Sequence, residues 1–239
     1  MILDLDVGNT WVKWRHGASS GQLLTKDLCQ RSYLGTCAAQ APERVRLATV
    51  ACEQQQTSIE QWSRDGWGVA AEIAMTQSHG GGVTNSYQQP SRMGVDRWLA
   101  MMAAYNQAAT SCCVVDCGSA ITVDYVGADG VHQGGFIIPG LRLMRLGLLA
   151  NTTRVLTPDA IEVSQSVVPG KSTEEAVDHG ISLLFESLAQ RIVAEYRQIL
   201  SSEAKLLITG GDGERFLDVV NEGEFHSQLV LDGLAYALP

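Results

Sequence analysis

The sequence is poor in basic residues and has no long apolar run. Lysines and arginines number 17 against 26 aspartates and glutamates, which gives a formal net charge of -9. Nucleic acids and anionic membranes are bound mainly through basic patches, so we expect neither as the main partner. A membrane-spanning helix needs about 18 uninterrupted apolar residues, and no segment comes near that length. The acidic segment Met1–Asp6 also differs from an export signal, so the sequence predicts a cytoplasmic protein.

A recognisable disulfide or zinc pattern is also missing. The six cysteines include no CxxC pair, and no spaced histidines complete a set of four zinc ligands. Three of them lie close together, at Cys112, Cys113 and Cys117. We interpret the cysteines as reduced thiols and these three as small buried hydrophobic residues. The five histidines show neither ligand spacing nor a nucleophile partner, so we expect surface or core positions for them.

The sequence does contain an acidic glycine turn that occurs twice. The segments Asp6-Val7-Gly8-Asn9-Thr10 and Asp116-Cys117-Gly118-Ser119-Ala120 each follow an apolar stretch, and each leads into a second strand pattern. This arrangement predicts two hairpins with an acid at the tip. The repeat predicts two similar lobes, at residues 1–109 and 110–239, and the alternation of strand and helix patterns favours an α/β fold.

The turn chemistry suits phosphate binding. A turn without side-chain bulk lets backbone N–H groups approach phosphate oxygens, and a carboxylate at its edge can hold a hydrated Mg²⁺; Asp6 and Asn9 fit these roles. Two such hairpins from two lobes could bind the phosphates of a nucleotide from both sides, as a phosphotransferase requires. The alternative is that these are ordinary turns, since an acid followed by glycine is common at strand ends.

A carboxylate near the acceptor hydroxyl would complete such an enzyme, and Asp96 is the candidate. The pattern from Gly94 predicts a helix that runs to about Ala109, with Asp96 in its first turn next to Arg97. The helix dipole and the neighbouring cation favour the ionised form of Asp96. The alternative is a first-turn acid that only satisfies the dipole.

Three further patterns predict local structure. The three glycines within His79–Tyr87 predict a mobile loop rather than a secondary-structure element. Pro139-Gly140 leads into a helix from Leu141 to about Ala150, whose apolar side we expect to face the sheet. The glycine turn Gly210–Gly213 precedes another helix, and its backbone amides could face a ligand.

The segment Val168–Thr173 resembles the end of a P-loop but lacks its first glycine, because position 165 is Gln165. Ser172–Glu175 instead has the chemistry of a capping box at the start of a long helix. Thr173 remains a candidate ligand contact. The apolar residues expected in register on this helix are Leu184, Leu188 and Ile192.

Taken in order, these motifs resemble the type III pantothenate kinase family, of the acetate and sugar kinase, heat-shock ATPase and actin superfamily. The resemblance rests on Asp6–Thr10, on Tyr87 followed by Gly94-Val95-Asp96-Arg97, and on Asp116–Ala120. The run Gly134–Gly140 and the later Gly170–Thr173 extend it over nearly the whole sequence. It implies two duplicated ribonuclease H-like, actin-like ATPase lobes with mixed sheets flanked by helices.

The resemblance also implies an activity, which is the ATP-dependent phosphorylation of pantothenate at the start of coenzyme A synthesis, by a homodimer. It implies that the ATP phosphates contact the turn and the strand after it, with Mg²⁺ at Asp6, and that Asp96 accepts the proton. Asp116 is implied to help bind a monovalent cation such as K⁺ or NH₄⁺. The implied ATP contacts beyond the turn are Trp11, Val12, Lys13 and Ser119, where Ser119 replaces the usual threonine and keeps its hydroxyl. The implied pantothenate contacts are Tyr87, Gly94, Val95, Asp96, Arg97 and Thr173.

Two other functions remain open from the sequence. One is a kinase of a different small hydroxylated acceptor, because a shared fold does not fix the substrate. The other is a non-catalytic accessory factor that keeps the nucleotide-binding shell. Such a factor would be expected to lose the acceptor-side carboxylate, whereas Asp6, Asp96 and Asp116 are all present.

Overall fold

The computed structural model describes residues 1–27, 40–50, 52–150 and 163–239. The chain divides into two compact units, and neither is one continuous stretch. Unit 1 comprises Met1–Ala109, Gly130–His132 and Gln228–Pro239, and unit 2 comprises Thr110–Asp129 and Gln133–Ser227. The lobe boundaries expected from the sequence stay a prediction.

Cys29 and Cys37 lie outside the described residues, while the four described cysteines are free thiols.

Unit 1 is built around a five-stranded mixed sheet in the order β3-β2-β1-β4-β5. β1 lies at the centre, antiparallel to β2 and parallel to β4. Its side chains Leu3, Leu5 and Val7 are fully buried, which the apolar pattern at these alternating positions predicts. The strands of this sheet are β1 (Ile2–Val7), β2 (Trp11–His16), β3 (Ser19–Leu24), β4 (Arg44–Thr49) and β5 (Ala71–Ile73).

Helices cover this sheet, and two of them pack closely together. The helices of unit 1 are α1 (Glu53–Trp67), α2 (Val95–Ala108) and α6 (Leu229–Ala237). α2 is buried along most of its length. A Cβ atom at Gly233 of α6 would overlap the backbone carbonyl of Leu99, so this glycine permits the close contact between the two helices. The predicted helix after Gly94, with Asp96 in its first turn, is confirmed.

Unit 2 repeats the strand order of unit 1, as β10-β9-β8-β11-β12. The central strand β8 is again antiparallel to the strand that follows it and parallel to β11. The predicted α/β fold with two duplicated mixed-sheet lobes is therefore confirmed. The strands are β8 (Cys112–Cys117), β9 (Ala120–Val126), β10 (His132–Pro139), β11 (Lys205–Thr209) and β12 (Glu224–Phe225), and the helices are α3 (Leu141–Ala150), α4 (Thr173–Ile199) and α5 (Gly213–Val220).

The prediction that His79–Tyr87 lacks secondary structure is wrong. The segment contains a two-stranded hairpin, β6 (His79–Gly80) and β7 (Val83–Thr84). Gly81 and Gly82 at its tip have φ values of 54° and 78°, and a type I′ hairpin turn needs such positive values at both central residues. These two glycines therefore supply a defined turn conformation.

The expected packing of α3 on the sheet is also wrong. Only Leu141 and Arg145 of this helix are buried, and the apolar side chains of Leu143, Leu146 and Leu148 are exposed in the single chain. Arg145 takes the inward position because its Nε donates to Asp178 Oδ1 of α4 at 2.8 Å.

On α4 the predicted register holds for Ile192 and partly for Leu188, but Leu184 is 62% exposed. The core side of that helix carries Ile181 and Phe185 instead.

Among the described residues, no helix combines the length and the apolar character that crossing a membrane requires.

Candidate functional site

The first acidic glycine turn connects β1 and β2 of unit 1. The Gly8 N–H donates to the Trp11 carbonyl at 3.0 Å, which closes the turn, and Asp6 lies opposite Lys13 in the β ladder. Asn9 and Trp11 are exposed, and Asp6, Gly8 and Thr10 are half-buried. The predicted ATP contacts Val7 and Val12 have fully buried side chains, so only their backbone atoms could serve a ligand.

Thr25, which the sequence analysis did not single out, holds this turn through two hydrogen bonds. Thr25 is 2% exposed, its Oγ1 donates to the Gly8 carbonyl at 2.7 Å, and its N–H donates to the Thr10 carbonyl at 3.0 Å. Thr25 follows β3 in a stretch for which the sequence made no functional prediction. A threonine after a short strand carries no signal that it contacts a turn at position 8, because this contact depends on the pairing of β2 with β3.

The predicted acceptor residues Tyr87, Asp96 and Arg97 are brought together in unit 1. Arg97 is 5% exposed, and its Nη1 donates to the Tyr87 hydroxyl at 2.8 Å. Its guanidinium carbon lies 5.7 Å from the centre of the Tyr87 ring, in the range of a cation–π contact. The Asp96 Oδ1 accepts a hydrogen bond from the Arg97 N–H at 2.8 Å, which fixes the direction of the carboxylate at the start of α2.

Gly94 lies directly beside the Asp96 carboxylate. A Cβ atom at position 94 would come within 2.5 Å of Asp96 Oδ1. The φ of Gly94 is -57°, which any residue can adopt, so the position requires glycine for space and not for backbone freedom. Val95 is buried in the helix, with 9% of its surface exposed.

His132 is a second residue whose position the sequence did not reveal. It is fully buried, in agreement with the expected surface or core position of the histidines, and its Nδ1 lies 2.9 Å from Ser86 Oγ. Its ring centre lies 6.1 Å from that of Tyr87. The Thr84 N–H donates to the Gly130 carbonyl at 2.9 Å, so residues 130–132 support the segment that carries Tyr87.

The second acidic glycine turn lies in unit 2, at the end of β8, and three glycines surround it. A Cβ atom at Gly210 would come within 2.5 Å of Asp116 Oδ1, and one at Gly118 would come within 3.3 Å of the same atom. The Gly140 N–H donates to the Ser119 carbonyl at 3.0 Å. Burial, together with the charges of Asp116 and Asp212, raises the pKa of the Cys117 thiol, so this cysteine is a neutral core residue.

A pocket of about 390 Å³ in unit 2 borders the Gly210–Gly213 turn. Burial raises the pKa of Asp212 in this pocket, although the charge of Arg215 partly opposes the effect. Arg215 Nη2 donates to Ser182 Oγ at 2.8 Å, and its guanidinium carbon lies 5.2 Å from the Phe185 ring centre. The pocket is lined by Leu141, Arg142, Val163, Gln165, Gly211, Asp212, Glu214, Arg215 and Asp218.

Thr173 is the exposed first residue of α4, and the preceding P-loop-like residues cap this helix. Ser172 Oγ accepts a hydrogen bond from the Glu175 N–H at 3.1 Å, while Glu175 Oε2 accepts one from the Lys171 N–H at 2.7 Å. The predicted capping-box chemistry is confirmed, except that the glutamate bonds the residue before the cap.

Comparison with known proteins identifies relatives over the whole chain. The profile of the family described as type III pantothenate kinase matches residues 2–195. A type III pantothenate kinase from Ectopseudomonas mendocina is 35% identical over 100% of this chain and 99% of its own length. One from Pseudomonas aeruginosa is 36% identical with the same coverage.

Solved structures support the fold alone. A Campylobacter jejuni protein, provisionally described as a Baf family transcriptional activator, has a TM-score of 0.61 at 20% identity and covers 98% of this chain and 95% of its own. The ethanolamine utilization protein EutJ from Carboxydothermus hydrogenoformans has a TM-score of 0.51 at 12% identity, with 99% and 88% coverage.

Proposed function

Because the chain belongs to the type III pantothenate kinase family, we propose that it transfers the γ-phosphoryl group of ATP to the primary hydroxyl of pantothenate, the first step of coenzyme A synthesis. The observation that carries the assignment of the site is the cluster of Tyr87, Asp96 and Arg97 in unit 1. Phosphoryl transfer requires positioning and charge neutralisation more than covalent help, and this cluster supplies a fixed carboxylate and a buried cation.

Asp96 is the proposed proton acceptor, and its surroundings explain how. The start of α2 is a favourable place for a negative charge. The Arg97 N–H donates to Oδ1 at 2.8 Å and fixes the direction of the carboxylate, which supports its proposed role of taking the proton of the attacking hydroxyl. Arg97 and Tyr87 then bind polar groups of pantothenate, together with Gly94, Val95 and Thr173.

The ATP phosphates are proposed to contact the turn Asp6–Thr10 and the strand residues Trp11–Lys13, with Ser119 touching the nucleotide. A kinase of this family uses ATP with a divalent metal. The described residues include no cluster of three or more His, Cys, Asp or Glu side chains that could hold a metal ion. One carboxylate fits Mg²⁺, which is commonly held by one or two carboxylates together with substrate phosphates, and Asp6 is the proposed ligand.

Asp116 is proposed to bind a monovalent cation. The glycines at 118 and 210 leave open space beside its Oδ1 that a Cβ atom would fill. A carboxylate with carbonyl oxygens of the same turn offers the oxygen ligands that a K⁺ or NH₄⁺ ion accepts. Such an ion would offset negative charge near the phosphates in a protein of net charge -9.

The pocket beside Gly210–Gly213 is proposed to hold the nucleoside part of ATP. Gly211 lines it, and a Cβ atom at this position would meet no other atom within 4 Å. Gly211→Val should therefore leave the fold intact while narrowing the pocket, and the KM for ATP should rise about tenfold with an unchanged KM for pantothenate. Steady-state kinetics with each substrate varied will measure this. An unchanged KM for ATP would place the nucleoside elsewhere.

A homodimer is the proposed assembly, with a second copy of the chain covering exposed apolar side chains of unit 2. Phe136 and Ile137 of β10 and three leucines of α3 are exposed in the single chain. Homodimer interfaces are more apolar than the rest of a protein surface, and these side chains have the required character.

A cytoplasmic location is also proposed. The described cysteines are free, as is typical of a reducing compartment. Cell fractionation with an antibody against the protein would test the location, and recovery from an extracytoplasmic fraction would contradict it.

A coupled assay of ADP release with and without pantothenate tests the central proposal. We expect ADP release that depends on pantothenate, and its near-complete loss in Asp96→Asn with an unchanged circular dichroism spectrum. A panel of other hydroxylated acceptors run in parallel would reveal a different substrate. ATP binding without turnover on any acceptor would favour a non-catalytic role instead.

A further inference from the structure

We infer that Thr25 is a positioning residue for the turn Asp6–Thr10, holding the backbone in the conformation that binds the ATP phosphates. The inference rests on the proposed ATP contacts of this turn. It assigns a specific role to a residue outside every motif of the sequence. Thr25 is not among the proposed substrate contacts and acts through the backbone of the turn.

Thr25 holds the turn at two points. Its hydroxyl donates to the Gly8 carbonyl at 2.7 Å, and its own N–H donates to the Thr10 carbonyl at 3.0 Å. These carbonyls belong to residues on either side of Asn9, at the tip of the hairpin. A third bond, from the Gly8 N–H to the Trp11 carbonyl at 3.0 Å, closes the turn.

The bond to Gly8 determines where the next amide points. The Gly8 carbonyl and the Asn9 N–H belong to one peptide unit, and a trans peptide unit directs these groups to opposite sides. When the Thr25 hydroxyl holds the carbonyl, the Asn9 N–H is fixed in the direction away from Thr25. Asn9 is an exposed residue, and its N–H is the donor assigned to the ATP phosphates. Preorganised backbone donors of this kind bind phosphate oxygens without reorganisation.

Burial makes the Thr25 hydroxyl hard to replace. Because Thr25 is only 2% exposed, water cannot easily substitute for the hydroxyl once it is removed. The Gly8 carbonyl would then lose a donor and the peptide unit could rotate. The backbone bond from the Thr25 N–H to Thr10 is independent of the side chain, so a substitution at Thr25 removes one support of the turn and keeps the other.

The test compares Thr25→Val with Thr25→Ser in steady-state kinetics. Valine keeps the shape of threonine and removes the hydroxyl, whereas serine keeps the hydroxyl. We expect kcat/KM for ATP to fall about tenfold in Thr25→Val, while the KM for pantothenate stays within twofold of wild type. In Thr25→Ser, kcat/KM for ATP should return to the wild-type value. Thr57→Val is the matched control, because the Thr57 hydroxyl also donates to a backbone carbonyl, at 2.9 Å, but on the exposed helix α1.

Asp6→Asn is measured in parallel to separate the two proposals. If Asp6→Asn leaves the ATP parameters unchanged, the proposed phosphate role of the turn fails. If Asp6→Asn impairs the use of ATP and Thr25→Val does not, only the inference about Thr25 is overturned. Equal losses in Thr25→Val and Thr25→Ser would overturn it as well. If Thr25→Val does not fold, Thr25→Ala replaces it, and failure of both to fold would assign Thr25 to stability instead.

Discussion

Gly94 provides a direct test of the Asp96 carboxylate, because its lack of a side chain leaves room for Asp96 Oδ1. Gly94→Ala should displace the carboxylate by steric contact and lower kcat about 100-fold, as expected for misplacement of a reacting group. The free energy of unfolding should change little, since the φ of -57° suits alanine. Steady-state kinetics and urea denaturation will measure both effects.

Gly66→Ala is the matched control for this substitution. Gly66 lies in α1, where an added Cβ atom would have its nearest neighbour 3.7 Å away. Alanine there should raise the free energy of unfolding by up to about 1 kcal/mol and leave turnover unchanged. A Gly94→Ala enzyme with full activity would contradict the role of Asp96 as proton acceptor.

Asp116 leads to a prediction about the ions in the assay. If its carboxylate holds a monovalent cation beside the phosphates, activity should depend on K⁺ or NH₄⁺ and should fall at least about tenfold in Na⁺ alone at equal ionic strength. Asp116→Asn should weaken this dependence along with activity. Equal rates in the three chloride salts would contradict the cation site.

The edge of the first sheet offers a pH-dependent test at the level of secondary structure. Arg44 of β4 binds Glu72 of β5 through two bonds, Nε to Oε1 at 2.5 Å and Nη2 to Oε2 at 2.7 Å. The Arg44 hydrogen bonds lower the pKa of Glu72 below its usual 4.5. A carboxylate whose pKa is lower in the folded than in the unfolded state stabilises the fold at every pH above its unfolded pKa. This contribution disappears as the pH falls through its folded pKa.

Glu72→Gln should therefore reduce the free energy of unfolding only slightly at pH 7, because the pair is partly exposed and screened by solvent. The difference from wild type should shrink once the pH falls below 4.5. Urea denaturation at a series of pH values will measure it. A difference that stays constant down to acidic pH would show that the lost stability is not due to this ion pair.

The central strands of the two sheets could be predicted from the sequence, whereas the short edge strand β12 and the exposed sides of the helices could not. β1 and β8 follow from apolar runs that end in an acidic glycine turn, because local pattern and burial agree there. The leucines of α3 are also apolar, but the helical spacing of apolar residues does not show whether they pack on the sheet of their own unit or stay exposed in the single chain. The buried Arg145 could not be predicted either, since its partner Asp178 lies on a different helix.

The candidate site also contains residues that could be predicted from the sequence and residues that could not. Tyr87, Asp96 and Arg97 lie in recognisable motifs, and their mutual contacts follow from short separations in sequence. Thr25 and His132 lie in no motif. Thr25 reaches the turn through the pairing of β2 with β3. His132 reaches the site through the bridge between Thr84 and Val131, which joins segments distant in sequence.

The assembly of the molecule can be tested on α3. Leu146 is 45% exposed in the single chain, so a charge at this position should have little effect on the fold of one copy. Leu146→Glu should convert a homodimer to a monomer, because a buried unpaired carboxylate in an apolar interface costs several kcal/mol. Size-exclusion chromatography with light scattering will measure the mass.

Met75→Glu is the control for this experiment, since Met75 is 68% exposed and lies in unit 1. This variant should keep the mass of the wild type. A wild-type protein that is already a monomer, or a Leu146→Glu variant that remains a dimer, would contradict an interface on this helix.

The placement of α6 in unit 1 has a consequence for synthesis on the ribosome. The central strand β1 is made first, but Leu229, Leu231 and Leu234 of α6 are among the buried residues of the unit that contains it. Arg15 of β2 also binds Asp232 of α6 at 2.5 Å. The residues of unit 2 end at Ser227, so a nascent chain can complete this unit first. Unit 1 therefore stays incomplete, with apolar surface open to chaperones, until translation has passed α6.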